Sequence, residues 1–398
     1  MEGLATPGQE LATAGWALTA AGREHEARLA AVRGFMLVRG LDVVLVSTPE
    51  NIFYLTGLDH WGYFAPHILI VPRAGEPVLV TRAMEGVTVA NQVRNARFEG
   101  HGDYETAADA AARALHSRGL ESGDIGTEPW SSGLSDGLAK ALVRALPQAR
   151  WHDASGLIDQ LRLVKSPLEQ DCMRAAAEVS DAAMAAAIEA VRPGATERQV
   201  AAACHKAMIE AGGTFPGFGP FIRSTRRLGE EHTTWSDEAL TEGDAVFLEL
   251  SGCVDRYHAP LGRLVHVGRL PEGTLDMAAI CHEAFAAVLA ALRPGALARD
   301  VYAAWQAVVD RAGLSHYRRH HCGYAVGIGL PPSWTGGNGV TGLRSDSELQ
   351  LAAGMTFHIL SWLMGTGRGD YFVSDTVLLS EAGAEVLTRT PTAPTVKA

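Results

Sequence analysis

The feature that most constrains the fold of this chain is a repeat within its second half. The segment "AAMAAAIEAVRPGATERQVAAACHKAMIEAGG", residues 182–213, recurs as "EAFAAVLAALRPGALARDVYAAWQAVVDRAGL", residues 283–314. The two Arg-Pro-Gly turns, at Arg192 and Arg293, lie 101 residues apart, and each joins two helix-like stretches that precede strand-rich sequence. Two Ala-rich helices can look alike by composition alone, but the shared turn and the matched ending argue against that. The repeat predicts two α-α-β-β halves related by pseudo-symmetry, with a site between them.

The first 164 residues have a different pattern. Strand-like runs such as "DVVLVS", "HILIVPR" and "PVLVTR" alternate with helix-like segments such as "EHEARLAAVRGFMLVRG", which is typical of an α/β domain. A long helix is then signalled by Ser166 as N-cap, by Pro167 at the first helical position and by Glu169 three residues after the cap. We therefore predict an α+β protein, with an N-terminal α/β domain at 1–164 and a pseudo-symmetric domain at 165–398.

Composition argues against several classes of partner. The 398 residues carry a formal net charge of -11, with a sequence pI near 5.8, whereas nucleic acid and anionic membrane surfaces select basic patches. The five cysteines are odd in number and form no CxxC pair, which is typical of reduced cytoplasmic thiols. The first twenty residues lack the pattern of a signal peptide, and we identify no apolar run long enough to cross a membrane. We expect a cytoplasmic protein with a small-molecule substrate and with no nucleic-acid or membrane partner.

The stretch "FLELSGCVDRYHAPLGRLVHVG", residues 247–268, has the residue types of an enzyme site. It places Glu249 in an apolar run, where an unpaired charge is costly, and continues with Tyr257, His258 and Arg263. Pro260 stands where a metal site would need a second acid. An ordinary strand carboxylate is the alternative for Glu249. For Arg263 we expect a buried ion pair that supports the hairpin.

Together with the repeat, this stretch resembles the creatinase and aminopeptidase-P family, whose fold is called pita-bread. The resemblance extends to "FVSDTVLLSEAGAEVLT" near the end of the chain. It implies a homodimer, in which the N-terminal domain of one subunit leans over the site of the other. The metal-dependent members of this family hold two metal ions with five ligands. At those five positions this chain has Glu249, Pro260, Tyr324 in "GYAVG", Leu360 in "GMTFHILSW" and Ser374 in "VSDTVLLSEAG".

One carboxylate of that ligand set remains, and leucine, proline and tyrosine do not replace the oxygen or imidazole ligands of a dication. We therefore expect no metal and no cofactor. The cluster "HYRRHHC", with His316, His320 and His321, is an alternative metal site, although its spacing matches no strong template. The resemblance gives His320 another role, because family members carry a substrate-contacting histidine four residues before the lost histidine ligand.

The resemblance also singles out His232, seventeen residues before Glu249. Creatinase, which lacks metals, uses the histidine at this position as its acid/base, and a histidine pKa near working pH suits that task. A loop or N-cap histidine is the alternative. Creatinase holds its guanidinium group with glutamates at the positions of Gly262 and Leu360, and their absence here argues against creatine as substrate.

Five short patches are similar to the ectoine hydrolase branch of the family. They are "ELSGCVDRYHAPLGRL", "GYAVGIGLPPSW", "GMTFHI", "HTTW" and "HWGYF". The chain departs from that branch at Leu264, Ser333 and Asp375, which lie beside the expected pocket and leave the exact substrate open.

We therefore predict a metal-independent hydrolase that cleaves a C–N bond of a small cyclic amidine or related zwitterion. Glu249 is expected to anchor the amidinium or attack it, and His232 to act as general acid/base. An aromatic box for the cation is expected among the substrate-binding residues. These residues are Trp61, Tyr63, His258, His320, Tyr324, Trp334 and His358.

Several alternatives remain open. Tyr324 and His358 are alternatively packed core residues, and Trp61 and Trp334 are alternatively dimer-interface aromatics. For the whole protein, the alternatives are a creatinase-like amidinohydrolase, a biosynthetic lyase on another guanidino or amidino compound, and a catalytically inactive binding module of the same fold.

Overall fold

The computed structural model describes residues 20–398, which form two compact units. The first unit ends at Arg162 and also includes Gly337–Gly339, while the second consists of Leu163–Gly336 and Val340–Ala398. The N-terminal stretch for which we expect no signal peptide lies outside the described residues, apart from Ala20.

The first unit is built on a six-stranded sheet with the order β4-β3-β2-β1-β5-β6. The β1–β2 and β2–β3 pairs are antiparallel and the other pairs are parallel. Strands β1 to β3 coincide with the three β-rich runs of the sequence, and their alternate side chains pack against the Ala-rich helix α4. The elements are α1 (Ala20–Arg39), β1 (Val43–Val46), α2 (Pro49–Thr56), β2 (Ile68–Pro72), β3 (Val78–Arg82), α3 (Gly86–Gln92), β4 (Arg97–His101), α4 (Ala107–His116), β5 (Asp124–Thr127), α5 (Asp136–Ala145), β6 (Arg150–Asp153) and α6 (Leu157–Leu163).

The second unit contains two pairs of helices and an eight-stranded sheet. Its first half comprises α7 (Pro167–Ala190), α8 (Glu197–Glu210), β7 (Phe221–Ser224), β8 (Ala245–Val254) and β9 (Tyr257–Val267). Its second half comprises α9 (Thr274–Ala291), α10 (Ala298–Arg311), β10 (Gly323–Ala325), β11 (Thr356–Leu363) and β12 (Tyr371–Ser380). Two short strands, β13 (Gly383–Val386) and β14 (Thr395–Lys397), pair with β12 and β9.

The strand order is β10-β11-β12-β9-β8-β7, so that from either edge inward one meets the first, second and third strand of one half. This equivalence of the two halves confirms the predicted pseudo-symmetry. Each half contributes three strands to this order rather than the predicted two. The difference arises from β7 and β10, which are only four and three residues long. Both Arg-Pro-Gly turns separate the paired helices. Gly194 and Gly295 adopt positive φ values of 83° and 88°, which glycine tolerates without strain.

The helices pack on one face of the eight-stranded sheet and leave the other face to the site. Because side chains alternate along a strand, Val246, Leu248 and Leu250 point into a core shared with α7 and α8. Phe247 lies on the opposite side of β8, in a separate apolar cluster with Leu264, Leu360 and Phe372 that contains no helix residue. We call this second side the inner face.

Local signals in the sequence are confirmed where this unit begins. Ser166 and Glu169 form a capping box at the start of α7: the Ser166 side chain accepts from the Glu169 amide at 3.2 Å, and the Glu169 carboxylate accepts from the Ser166 amide at 3.0 Å. Pro167 is the first helical residue. This arrangement satisfies amide groups that would otherwise lack partners at a helix N-terminus.

One expectation about membrane spans needs correction. Among residues 20–398, α9 is long and apolar enough to cross a membrane by length and composition, with a mean hydropathy of 1.4 over 18 residues. The sequence reading overlooked it because Asp276, His282 and Glu283 interrupt the apolar run. Cys281, Ala284 and other residues of the helix are fully buried in the core shared with α10, β11 and β12. One face of the helix therefore packs in this core, and 33% of the 18 residues are buried.

Candidate active site

The five positions that correspond to metal ligands in the family lie together on the inner face. Glu249 pairs with Gly262, Gly262 with Ser374, and Ser374 with Leu360. Cross-strand partners share a face of a sheet, so Glu249, Ser374 and Leu360 form one row. The remaining two positions are on the same face. Pro260 pairs with Ser251, two residues from Glu249, and Tyr324 pairs with His358, two residues from Leu360.

The side chains at these positions do not fit a pair of metal ions. Within the described part of the chain, no group of three or more His, Cys, Asp or Glu side chains is arranged to hold a metal, and this includes the "HYRRHHC" cluster. Leu360 presents carbon atoms and packs with Phe247, Leu264 and Phe372. A dication requires several oxygen or imidazole ligands at fixed geometry. At the position of Leu360, the inner face therefore has an apolar wall in place of a ligand.

Glu249 is a buried carboxyl group without a hydrogen-bond partner. The residue is 9% exposed, and none of the side chains or amides described in the structure donates a hydrogen bond to it. Nε2 of His358 lies 3.9 Å from its Oε1 atom. Burial raises the pKa of Glu249 to about 8; Arg223 and Arg319 oppose this shift and Glu231 adds to it. A carboxyl group in this state is neutral at pH 7.

A hydrogen-bonded chain of four side chains lies beside Glu249. Trp334 donates from Nε1 to the Tyr324 hydroxyl at 3.0 Å, the Tyr324 hydroxyl lies 2.8 Å from Nδ1 of His358, and Nε2 of His358 lies 2.7 Å from the Ser374 hydroxyl. Burial holds the pKa of His358 well below its usual range, so the imidazole is neutral, with one nitrogen donating and the other accepting. With either tautomer, one hydroxyl hydrogen, of Tyr324 or of Ser374, is left free to donate to a ligand.

His232 is at the edge of this face in an aromatic group. Its ring stacks on Phe218, with ring centroids 5.9 Å apart, and meets Phe221 edge-on at 5.4 Å. Phe221 is the cross-strand partner of Glu249, so a single residue separates the two predicted catalytic groups. His232 is exposed and has a φ of 52°, in the left-handed region that few non-glycine residues adopt. Its side chain makes no direct contact with Glu249 among the contacts that the structure describes.

Trp334 is on the inner side of the same aromatic group. It is 1% exposed and packs against Phe218 and Phe221 at centroid distances of 4.9 and 5.3 Å. Neither face of this ring is open in the way that a cation box requires. The indole instead positions the Tyr324 hydroxyl through its N–H group.

The ring of His258 is likewise engaged by other parts of the protein. It is fully buried; its Nδ1 lies 2.9 Å from the Arg256 carbonyl, and its Nε2 accepts from the Gly217 amide at 2.8 Å. Since both ring nitrogens are engaged by the backbone, His258 holds the loop around Gly217 and has no polar atom left for a substrate. His320, in contrast, is exposed and meets His321 edge-on at 4.2 Å, so its predicted substrate contact stays a prediction.

Trp61 and Tyr63 belong to the first unit. Trp61 is 63% exposed. The Tyr63 ring packs between His60 and His67, with centroid distances of 4.8 and 4.6 Å. Their predicted role in substrate binding stays a prediction.

Sequence reasoning missed three polar groups of the inner face. Ser374 was noted only as a lost ligand, yet it completes the hydrogen-bonded chain. Arg223 and Arg319 both act electrostatically on Glu249. Arg319 is inside the quoted "HYRRHHC", but nothing in the sequence distinguishes it from Arg318. The predicted ion pair of Arg263 is confirmed, with Nη2 2.8 Å from the Asp375 carboxylate and both groups buried.

The chain matches two family models. Residues 171–381 match the model for Metallopeptidase family M24, and residues 28–164 match the Creatinase/Prolidase N-terminal domain. An ectoine hydrolase from Halomonas elongata is 30% identical over 390 residues, covering 92% of this chain and 96% of that protein. The chain belongs to metallopeptidase family M24.

Other M24 relatives are dipeptidases by name. An Xaa-Pro dipeptidase from Pyrococcus horikoshii is 26% identical over 359 residues, covering 89% of this chain and 95% of that protein. A solved Xaa-Pro dipeptidase from Bacillus anthracis superimposes with a TM-score of 0.81 at 20% identity, covering 94% of this chain and 100% of that one. These comparisons confirm the pita-bread fold and identify the chain as an M24-family hydrolase.

Proposed function

We propose that this M24 protein hydrolyses a C–N bond of a small cyclic amidine such as ectoine, without a metal ion. The observation that carries the proposal is the state of Glu249. It is the one carboxylate at the five ligand positions. It is buried and accepts no hydrogen bond from residues 20–398, among which no group of three or more His, Cys, Asp or Glu side chains could hold a metal. The similarity to the Halomonas elongata ectoine hydrolase supports the same chemistry.

An amidinium ion complements this carboxyl group. A neutral Glu249 becomes an anion when a cation binds, because the ion pair offsets the cost of burying the charge. A carboxylate accepts hydrogen bonds from both N–H groups of an amidinium in one plane. Neutral amidines take up a proton readily, so Glu249 can hold the substrate by transferring its own proton to the ring.

Hydrolysis then adds one oxygen to the amidine carbon and breaks one ring C–N bond. The oxygen comes from water activated by His232, or from Glu249 itself through an acyl intermediate that water later opens. The departing nitrogen takes a proton and becomes an amine, while the carbon becomes the carbonyl of an amide. The free hydroxyl hydrogen of the Tyr324–His358–Ser374 chain stabilises the tetrahedral intermediate beside Glu249.

The site gives reasons to prefer a cyclic amidine over creatine. At Gly262, where creatinase has a glutamate, an added Cβ would collide with the Phe372 ring and lie 2.8 Å from the Ser374 hydroxyl. Leu360, at the second glutamate position, is part of the apolar cluster. The inner face therefore has room for one carboxylate. A single carboxylate suits an amidinium better than the guanidinium of creatine, which creatinase holds with two glutamates.

A homodimer and a cytoplasmic location belong to the same proposal. The family resemblance supports the dimer, in which the N-terminal domain of one subunit leans over the site of the other. Light scattering on the purified protein tests it: the expected mass is twice that of the chain, and a monomer that is active would contradict it.

Turnover of ectoine tests this function. The enzyme is first treated exhaustively with a chelator, and the reaction is then followed by the appearance of a primary amine. We expect the wild type to keep its rate, and Glu249→Gln and His232→Ala to lose at least about a thousandfold, since each removes a group that acts at the reacting atoms. Glu381→Gln, in the exposed turn between β12 and β13, is the matched control and should be unaffected.

Other outcomes point elsewhere. Activity that disappears with the chelator and returns with Mn²⁺ would contradict metal independence, and cleavage of Xaa-Pro dipeptides under the same conditions would favour the dipeptidase relatives. Turnover of creatine or another guanidino compound in place of ectoine would favour the amidinohydrolase alternative. A mass increase on the Glu249 peptide after rapid quenching would identify this residue as the nucleophile.

A further inference from the structure

The loop between α10 and β10 carries a guanidinium group with no counter-charge. The side chain of Arg319 forms no hydrogen bond and no ion pair with any residue in the range 20–398. Its guanidinium lies over the Trp362 ring, whose centroid is 4.6 Å from Cζ. Its neighbour Arg318 is already paired with Asp310 at 2.7 Å. None of the Arg319 nitrogens is among the fully buried polar atoms, so its N–H donors are open to an incoming anion.

The position of Arg319 is fixed by the surrounding loop. Tyr302 donates from its hydroxyl to the Arg319 carbonyl at 2.6 Å. Tyr317, two residues earlier, exchanges hydrogen bonds with the Met364 carbonyl and amide at 3.0 and 3.2 Å. Met364 is two residues beyond Trp362. The loop is therefore attached to the end of β11, and the guanidinium is held on the tryptophan ring without help from a ligand.

This guanidinium belongs to the same face as Glu249. Trp362 packs against Phe247 and Phe372, with ring centroids 5.2 and 4.8 Å away, and Phe247 is two residues before Glu249 on the inner side of β8. The positive charge of Arg319 lowers the pKa of Glu249, against the larger effect of burial.

The other arginine near Glu249 is already neutralised. Arg223 forms an ion pair with Glu231 at 2.9 Å and lies over the Phe247 ring. Among residues 20–398, the inner face thus offers a carboxyl group that accepts no hydrogen bond and, beyond an aromatic wall, a guanidinium cation that has no paired anion. A ligand that satisfies both carries a cation at one end and an anion at the other.

We propose that Arg319 binds the carboxylate of a substrate whose amidinium is held by Glu249. This inference rests on the proposed function and narrows its substrate class to compact zwitterions, as opposed to simple amidinium cations. A guanidinium and a carboxylate form two parallel hydrogen bonds, and stacking on Trp362 keeps the guanidinium plane in a fixed orientation. The pair fixes the direction in which the ring enters and so which C–N bond faces the catalytic groups.

The test compares ectoine with the same cyclic amidine lacking its carboxylate. Arg319→Gln should raise the KM for ectoine roughly 10- to 100-fold, the loss expected for a charged hydrogen bond, with a smaller change in kcat. It should leave the KM of the carboxylate-free amidine unchanged. Arg318→Gln is the matched control and should behave as wild type with both compounds. Equal effects of Arg319→Gln on the two compounds, or no effect on either, would contradict the inference.

A second readout separates this inference from the proposed function. If the wild type opens neither ring, the hydrolase proposal fails, and the Arg319 site is then decided by propionate as a probe. Propionate should raise the melting temperature of the wild type and of Arg318→Gln in a saturable way, and should not do so for Arg319→Gln. The same rise in all three proteins, or in none, would overturn the assignment of Arg319 as an anion site.

Discussion

Two buried acids on the same sheet differ in what surrounds them. Asp375, on β12, accepts hydrogen bonds from Arg263 at 2.8 Å and from Thr388 at 2.7 Å, and Arg263 also donates to the Ser374 and Thr390 carbonyls. Glu249, on β8, accepts none from the residues that the structure describes, and its pKa is raised to about 8. The first acid is part of a closed network that holds strands β9 and β12 together. The second is buried at a cost to stability, and we propose that a cationic substrate becomes its partner.

The largest effect should come from breaking the closed network. Asp375→Ala leaves the Arg263 guanidinium buried and uncompensated, which costs about 3–5 kcal/mol of unfolding free energy. Denaturant unfolding at pH 7 measures the loss. Thr388→Ala removes only one neutral donor and should cost much less, and equal losses for the two variants would contradict the central role of the ion pair.

Glu249→Gln should have the opposite effect on stability. An acid whose pKa is 4.5 when unfolded and about 8 when folded stabilises the protein fully below pH 4.5 and loses that contribution as pH rises toward 8. Because glutamine stays neutral, the variant should be more stable than wild type by about 3 kcal/mol at pH 7. Unfolding curves at several pH values check this, and the gain should vanish near pH 4.5. A less stable variant at pH 7 would show that Glu249 has a structural partner.

The affinity for a cationic ligand should rise with pH, because Glu249 loses its proton as pH rises. A cation prefers the ionised carboxylate, so binding of acetamidinium should strengthen about tenfold for each pH unit up to the Glu249 pKa of about 8 and level off above it. Titration calorimetry from pH 6 to pH 9 measures the dependence. Glu249→Gln should abolish it, and a flat profile in the wild type would mean that Glu249 is already ionised.

A smaller effect should come from His266, a buried titratable group that, like Glu249, lacks a hydrogen-bond partner among the described residues. It is 1% exposed, and neither ring nitrogen has a hydrogen-bond partner among the described residues. Burial lowers the pKa of His266, so the folded protein keeps it neutral and stability falls as pH drops below 6.5, by at most about 1.4 kcal/mol per unit. His266→Leu should flatten the pH dependence of stability between pH 5 and 6.5 without changing turnover. An unchanged slope would assign the acid sensitivity to other groups.

The fold was largely predictable from local patterns. The repeat, the Arg-Pro-Gly turns and the Ser166 capping box each depend on short-range chemistry, and all appear in the structure. The short strands β7 and β10 were not predicted from the sequence. A segment of three or four residues is too short to show the alternation of apolar and polar residues that indicates a strand.

The site was predictable only in part. The spacing of motifs brought out Glu249, Tyr324 and His358, since strand register carries such positions to one face. It did not reveal that both nitrogens of His258 are engaged by the backbone or that Trp334 is enclosed by phenylalanines. Nor did it distinguish the unpaired Arg319 from the paired Arg318. These contacts form between loops that are far apart in the sequence. The spacing of residues within a single sequence does not predict which of such loops will pack together.

The protonation state of Glu249 is the most direct test of this account. Infrared difference spectra of wild type against Glu249→Gln report the stretch of a protonated carboxyl group. We expect this band to be present at pH 7, to titrate away with a midpoint of about 8, and to disappear at pH 7 when acetamidinium is added. Absence of the band at pH 7 in the free protein, or its persistence with saturating acetamidinium, would contradict the assignment of Glu249 as the carboxyl group that meets a cationic substrate.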